Sequence, residues 1–101
     1  MTKAKVILDL KFDIPERYGV ELKVFEVDRS FKFPEGVRAR YVLIDMIDLI
    51  PRLLVDNHPP HGFHVHTQLP VNKNIREKLH VKNYLEALTE FMRLSWEIAK
   101  R

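Results

Sequence analysis

Apolar residues in the first half of this chain recur at every second position, in three separate runs. Over residues 4–12, Val6, Leu8, Leu10 and Phe12 alternate with Ile7, Asp9 and Lys11. Over 19–28, Val20, Leu22 and Val24 stand opposite Glu21 and Lys23, and over 37–45, Val37, Ala39, Tyr41 and Leu43 stand opposite Arg38, Arg40 and Val42. A period of two is the pattern of an extended strand, whose side chains leave alternate faces. The runs are separated by Pro15–Gly19 and by Phe33-Pro34-Glu35-Gly36, with proline placed to open a turn and glycine to leave it. Consecutive strands joined by short turns pair as antiparallel neighbours, with one face on the core and the other toward water.

The middle of the chain continues the sheet. Arg52–Asn57 and Gly62–Gln68 read as a fourth and a fifth strand, and Asp45–Pro51 as a turn or strand tail between hairpin partners. The connection Asn57–His61 carries Pro59-Pro60, which cannot donate to a ladder and must stand off the sheet. The period then changes. Asn83 and Glu86 form a helix-start pair resembling a capping box, and Leu85, Leu88, Phe91, Met92, Trp96 and Ala99 follow at three- and four-residue steps. The expected fold is α+β, one domain over residues 1–101: about five mostly antiparallel strands with a C-terminal helix packed on one face. The helix stripe is read as core, although Phe91, Met92 and Trp96 could also contribute to a homodimer interface.

A chain of 101 residues has one core and little room for an enclosed cofactor cavity. It has no cysteine, which excludes disulfides, thiolate metal sites and a cysteine nucleophile, and fits a reducing compartment. Lysines interrupt the N-terminal residues early, so they do not read as a signal peptide, and no apolar run approaches the length of a membrane span. The expectation is a cytoplasmic protein with no membrane partner. A formal net charge of +3 barely favours a polyanionic partner. Lys73, Arg76, Lys78, His80 and Lys82 read as a solvated face, and Arg38 and Arg40 form a second basic pair.

Four of the five histidines fall between positions 58 and 66: His58, His61, His64 and His66. His58 and His61 read as exposed loop residues. His64 and His66, two apart in a strand, leave the same face with Cα atoms roughly 6.5 Å apart. Phe63 and Val65 then face the core, and Asp56 at the end of the preceding strand can lie across from the imidazoles. Imidazole titrates near neutrality and also ligates metals, so two kinds of chemistry fit. In the first, metal-free, one imidazole takes the proton of a ribose 2′-hydroxyl and the other protonates the leaving oxygen. Asp56 orients a ring and raises its pKa, and Arg38 or Arg40 neutralises the phosphate. In the second, His64, His66 and Asp56 hold a divalent metal with a position open to water. A third reading needs no catalysis: the open sheet face docks a partner and the imidazoles make a structural or pH-sensitive contact.

Phe33-Pro34-Glu35-Gly36-Val37-Arg38-x-Arg40-Tyr41, then Leu54-Val55-Asp56-Asn57, four residues, and Gly62-x-His64-x-His66 together resemble the TumE-type toxin family of prokaryotic toxin–antitoxin modules. The likeness extends over roughly residues 5–95 and is densest from Asp56 to His66. Val55 stands where the family usually has an aromatic residue, His-Pro-Pro-His fills the loop, and Val65 stands where the family often has arginine. The resemblance implies a toxin restrained by an antitoxin with a DNA-binding domain. It implies Asp56, Asn57, His64 and His66 as the active centre, with Gly62 as the turn residue. Paired imidazoles beside basic residues add RNA as the expected substrate, cleaved without a cofactor in the leading reading.

Overall fold

The computed structural model describes residues 5–59, 62–67 and 76–100. Six strands among them form one open antiparallel sheet in sequence order: β1 (Lys5–Ile14), β2 (Tyr18–Glu26), β3 (Val37–Asp45), β4 (Ile50–Asp56), β5 (His64–His66) and β6 (Glu77–Lys78). One helix, α1 (Tyr84–Ala99), packs over β3 and β4.

The alternation seen in the sequence becomes the two faces of this sheet. Leu22 pairs with Tyr41, Tyr41 with Val55 and Val55 with Val65, so one apolar row crosses four strands on the helix side. Tyr41, Leu43, Leu53 and Val55 are inaccessible to solvent, as are Ala87 and Phe91 of α1. Burying a side chain of this size is worth about 1.5–3 kcal/mol. The Tyr41 and Phe91 rings lie 5.7 Å apart, and the Tyr41 hydroxyl donates to the Tyr84 carbonyl at 2.9 Å. Burial pushes the Tyr41 phenol well above its ordinary pKa, so it remains a donor.

The helix begins where Asn83 and Glu86 lead one to expect. Asn83 Oδ1 accepts from the Glu86 amide at 2.9 Å. The reciprocal arm is displaced by one residue: Glu86 accepts from the Lys82 amide. Glu35, from the loop before β3, accepts from the Tyr84 amide and so ties that loop to the helix start. The buried stripe is rotated from the expected one. Ala87, Phe91 and Ser95 face the sheet, whereas Leu85 and Trp96 are 58% and 49% exposed. Small residues at 87 and 95 let the helix backbone approach the strands closely, and that sets the contact face.

Three further differences concern the strands. Asp45–Pro51 divides into the end of β3, a turn at 46–49, and the start of β4. Pro51 is accommodated because the β3–β4 register shifts beside it, leaving Arg52 as the extra residue. The fifth strand, expected over Gly62–Gln68, has only three residues: Gly62, Phe63 and Thr67 flank it outside the ladder, and Gln68 lies outside the described residues. The sixth strand, a two-residue pairing of charged side chains, has no counterpart in the sequence pattern. No helix among the described residues is long and apolar enough to cross a membrane.

Candidate functional site

Strand pairing brings the expected residues together on the sheet face opposite the helix. Arg40 pairs with Asp56, Asp56 with His64 and His64 with Lys78. These four residues therefore form one row across β3–β6, with neighbouring strands about 4.8 Å apart. His66 pairs with Leu54 and stands beside this row. Gly62 opens the strand with φ +65°, a left-handed conformation that a residue bearing a Cβ adopts only with strain.

The geometry within the cluster is close. The His64 and His66 ring centroids are 4.9 Å apart and nearly perpendicular. His64 Nε2 lies 2.5 Å from Asp56 Oδ1. Ligand atoms of Asp56, His64 and His66 all fall within 4.8 Å of one another. Hydrogen bonding then assigns the protons. His64 Nδ1 lies 2.9 Å from the Gly62 carbonyl, which can only accept, so Nδ1 carries the hydrogen. In the neutral ring Nε2 therefore presents a lone pair, and it presents it to a carboxylate oxygen. Burial is the largest influence on His64 and lowers its pKa, with His66 and Arg76 acting in the same direction. The Gly62 carbonyl and Asp56 oppose that shift without reversing it.

Two buried atoms of the cluster lack a partner. Asp56 Oδ1 and His66 Nδ1 are buried and have no hydrogen-bond partner among the described residues. Buried polar atoms are rarely left so. Two acceptors in contact need a proton or a cation between them. A proton shared by Asp56 and His64 fits the 2.5 Å separation. A metal also fits the donor set, a neutral imidazole held by a carbonyl on its far nitrogen being a common ligand arrangement. Tetrahedral bonds of about 2.05 Å would set ligand atoms roughly 3.3 Å apart, so the Asp56–His64 contact would widen by under about 1 Å.

Burial departs from the sequence-based expectation of an accessible surface. His64 and His66 are 3% and 6% exposed. The Asp56 side chain keeps 18% exposure, so solvent meets the cluster at the carboxylate. Contact between the two rings also leaves no space for a phosphate between them. In-line displacement needs acid and base on opposite sides of phosphorus, so a two-imidazole mechanism would require the rings to part.

The other expected residues occupy distinct positions. Asn57 is buried and committed to β3: its Oδ1 accepts from the Ala39 amide and its Nδ2 donates to the Val37 carbonyl, both at 2.9 Å. It positions the end of β4 and turns no polar atom toward the imidazoles. Arg40 and Arg38 are exposed on the open face, with Arg40 in the row of Asp56 and Arg38 two residues further along β3. His58 is exposed, and His61 lies outside the described residues. Lys78, directly across from His64, was read as part of a solvated face. Only the unforeseen pairing of β6 connects it to the site.

A scan of protein-family models matches none of them, and searches of curated proteins and of solved structures find no significant match. What the residues define by themselves is an α+β protein with an open antiparallel sheet. Two imidazoles and a carboxylate meet on its helix-free face.

Proposed function

We propose that this protein hydrolyses phosphodiester bonds in RNA with a divalent metal held by Asp56, His64 and His66. The observation that carries the reading is the convergence of three ligand atoms within 4.8 Å, with the His64 Nε2 lone pair set against Asp56 Oδ1 and a further buried, unpartnered nitrogen on His66. A divalent ion would supply Lewis acidity toward phosphoryl oxygen and a more acidic water at neutral pH. The chain's own contributions follow from its geometry. The Gly62 carbonyl holds the His64 ring with Nε2 turned to the cluster. Burial lowers the pKa of that imidazole and so favours the neutral form, which is the one that ligates. Arg40 and Lys78, on either side of Asp56 and His64, place two cations where a phosphate would approach the carboxylate edge.

The likeness to TumE-type toxins supports a cytoplasmic role as the toxin of a toxin–antitoxin pair, restrained by an antitoxin with a DNA-binding domain. Burial of both imidazoles favours a second reading, a non-enzymatic binding module whose His–Asp cluster is structural. The experiment that separates them uses protein stripped of metal, then supplied with Mn²⁺ or Zn²⁺ and single-stranded RNA. Cleavage should require metal, stop in EDTA and fall at least about 100-fold in Asp56→Asn and His66→Gln variants. Cleavage that persists in EDTA would return the mechanism to the metal-free imidazole pair. Absence of cleavage with either metal, with growth unaffected when the chain is expressed alone, would leave the binding module.

A further inference from the structure

Near the start of α1 lies an open groove of about 400 Å³, in the size range of ligand sites, bounded by the loop before β3 and the β6–α1 connection. Asn57 and Gly62 form part of its lining together with Phe63, Leu79 and Val81, which pack on the core, so it lies on the helix side of the β4–β6 edge while the metal cluster lies on the other face. Its other side chains combine three cations with an unprotected aromatic ring. Lys32, Lys78 and Lys82 are exposed, and none forms an ion pair with another described residue. Phe31 is 90% exposed. Glu35 also lines the groove, but one oxygen of its carboxylate is occupied by the Tyr84 amide at the helix start. Three lysines against the one carboxylate of its lining leave the groove positive on balance.

We infer that this groove binds a single-stranded RNA segment, with phosphates on Lys32, Lys78 and Lys82 and a base stacked on Phe31, and so holds the strand at the β6 edge, around which it passes to reach Asp56 on the other face. The inference rests on the proposed hydrolysis for its destination but has its own observations. Cations that follow a backbone, next to an aromatic face that takes any base, are the recurring means of holding single strands. A duplex does not fit this surface, because its bases are stacked on one another and cannot reach Phe31. Lys78 belongs to both places: it lines the groove and sits across from His64 in the sheet.

The test is fluorescence anisotropy of the full chain with a labelled single-stranded RNA of about eight nucleotides, within the span such surfaces cover. EDTA is present so that binding is read without hydrolysis. Phe31→Ala should weaken binding roughly ten-fold. The Lys78→Ala/Lys82→Ala pair should weaken it and reduce the slope of log affinity against log salt by about 1.4, two phosphate contacts on a single strand. Lys11→Ala, on β1, should change neither, and all variants should melt as the parent does. Equal affinity in parent, Phe31→Ala and double-lysine proteins overturns the inference. So does a poly-glutamate peptide that binds as tightly as RNA and is indifferent to Phe31, which would make the groove a site for an acidic protein segment. Groove-dependent binding without cleavage in any metal would defeat the hydrolase reading alone. Metal-dependent cleavage untouched by the groove variants would defeat the groove alone.

Discussion

Two carboxylates stand at ends of neighbouring strands in this protein, and their surroundings are opposite. Asp45 closes β3 with a side chain wholly removed from solvent. It accepts two hydrogen bonds from Arg17, at 3.1 and 2.7 Å, and a third from the Ile47 amide, with Arg52 3.5 Å away. The Arg17 guanidinium, helped by that amide and by Arg52, holds the carboxyl down at about 2. Asp56 closes β4 and meets a lone pair: its buried Oδ1 faces His64 Nε2, and a ring nitrogen of His66 lies within 4.8 Å of the pair. A carboxylate surrounded by donors is complete and holds the β1–β2 and β3–β4 turns together. A carboxylate set against a lone pair is incomplete until a proton or a metal arrives. The same residue type thus separates a structural tie from a candidate site, and the difference lies in its neighbours.

Isosteric substitution is the sharpest way to break this contrast. Asp45→Asn takes the anion from half-exposed Arg17, leaves Arg52 with Asp48 alone and puts an amide where a buried carboxylate accepted three hydrogen bonds, and it should lower Tm by about 10 °C, read by thermal denaturation. Asn57→Ala comes next. It orphans the Ala39 amide and the Val37 carbonyl and should cost about 2–3 kcal/mol in denaturant unfolding, whether or not metal is present. Acid should act through Asp45 as well. Its folded pKa lies below the ordinary value of 3.8, so its stabilisation is complete above about pH 4 and is lost as pH falls toward 2. That part of the acid slope should be missing from Asp45→Asn. Tyr41→Phe, which removes only the hydrogen bond to Tyr84, should cost about 1 kcal/mol. The smallest effect belongs to Asp56→Asn in metal-free protein. An amide donates to His64 Nε2 where the carboxylate could only accept, so Tm should hold or rise slightly. A fall matching that of Asp45→Asn would mean that Asp56 is a second structural ion pair.

The parts of the fold visible in the sequence are those governed by local period. Alternation placed β1, β2 and β3 to within two residues at either end, because each strand buries one face and leaves the other wet. The helix start was equally visible, through Asn83 and Glu86. The rotation of the helix was not, because Ala87 and Ser95 carry little hydrophobic signal and matter through their small size. β6 had no pattern to read: Glu77 and Lys78 are both exposed, and only the pairing with His64 and Val65 makes them a strand. The Arg17–Asp45 tie joins residues 28 apart and depends on tertiary structure. At the candidate site, two-residue spacing was enough to put His64 and His66 on one face, and chain order was enough to put Asp56 across from them. Their burial depends on what packs around them, which spacing does not encode. The commitment of Asn57 to the β3 backbone was hidden for the same reason.

Calorimetric titration of metal-stripped protein with Zn²⁺ and with Mn²⁺ tests the central claim most directly. The account predicts one ion per chain, bound by the parent and lost in both Asp56→Asn and His66→Gln, with proteins that melt normally without metal. No binding heat from either ion in the parent, or binding that survives both substitutions, would contradict it.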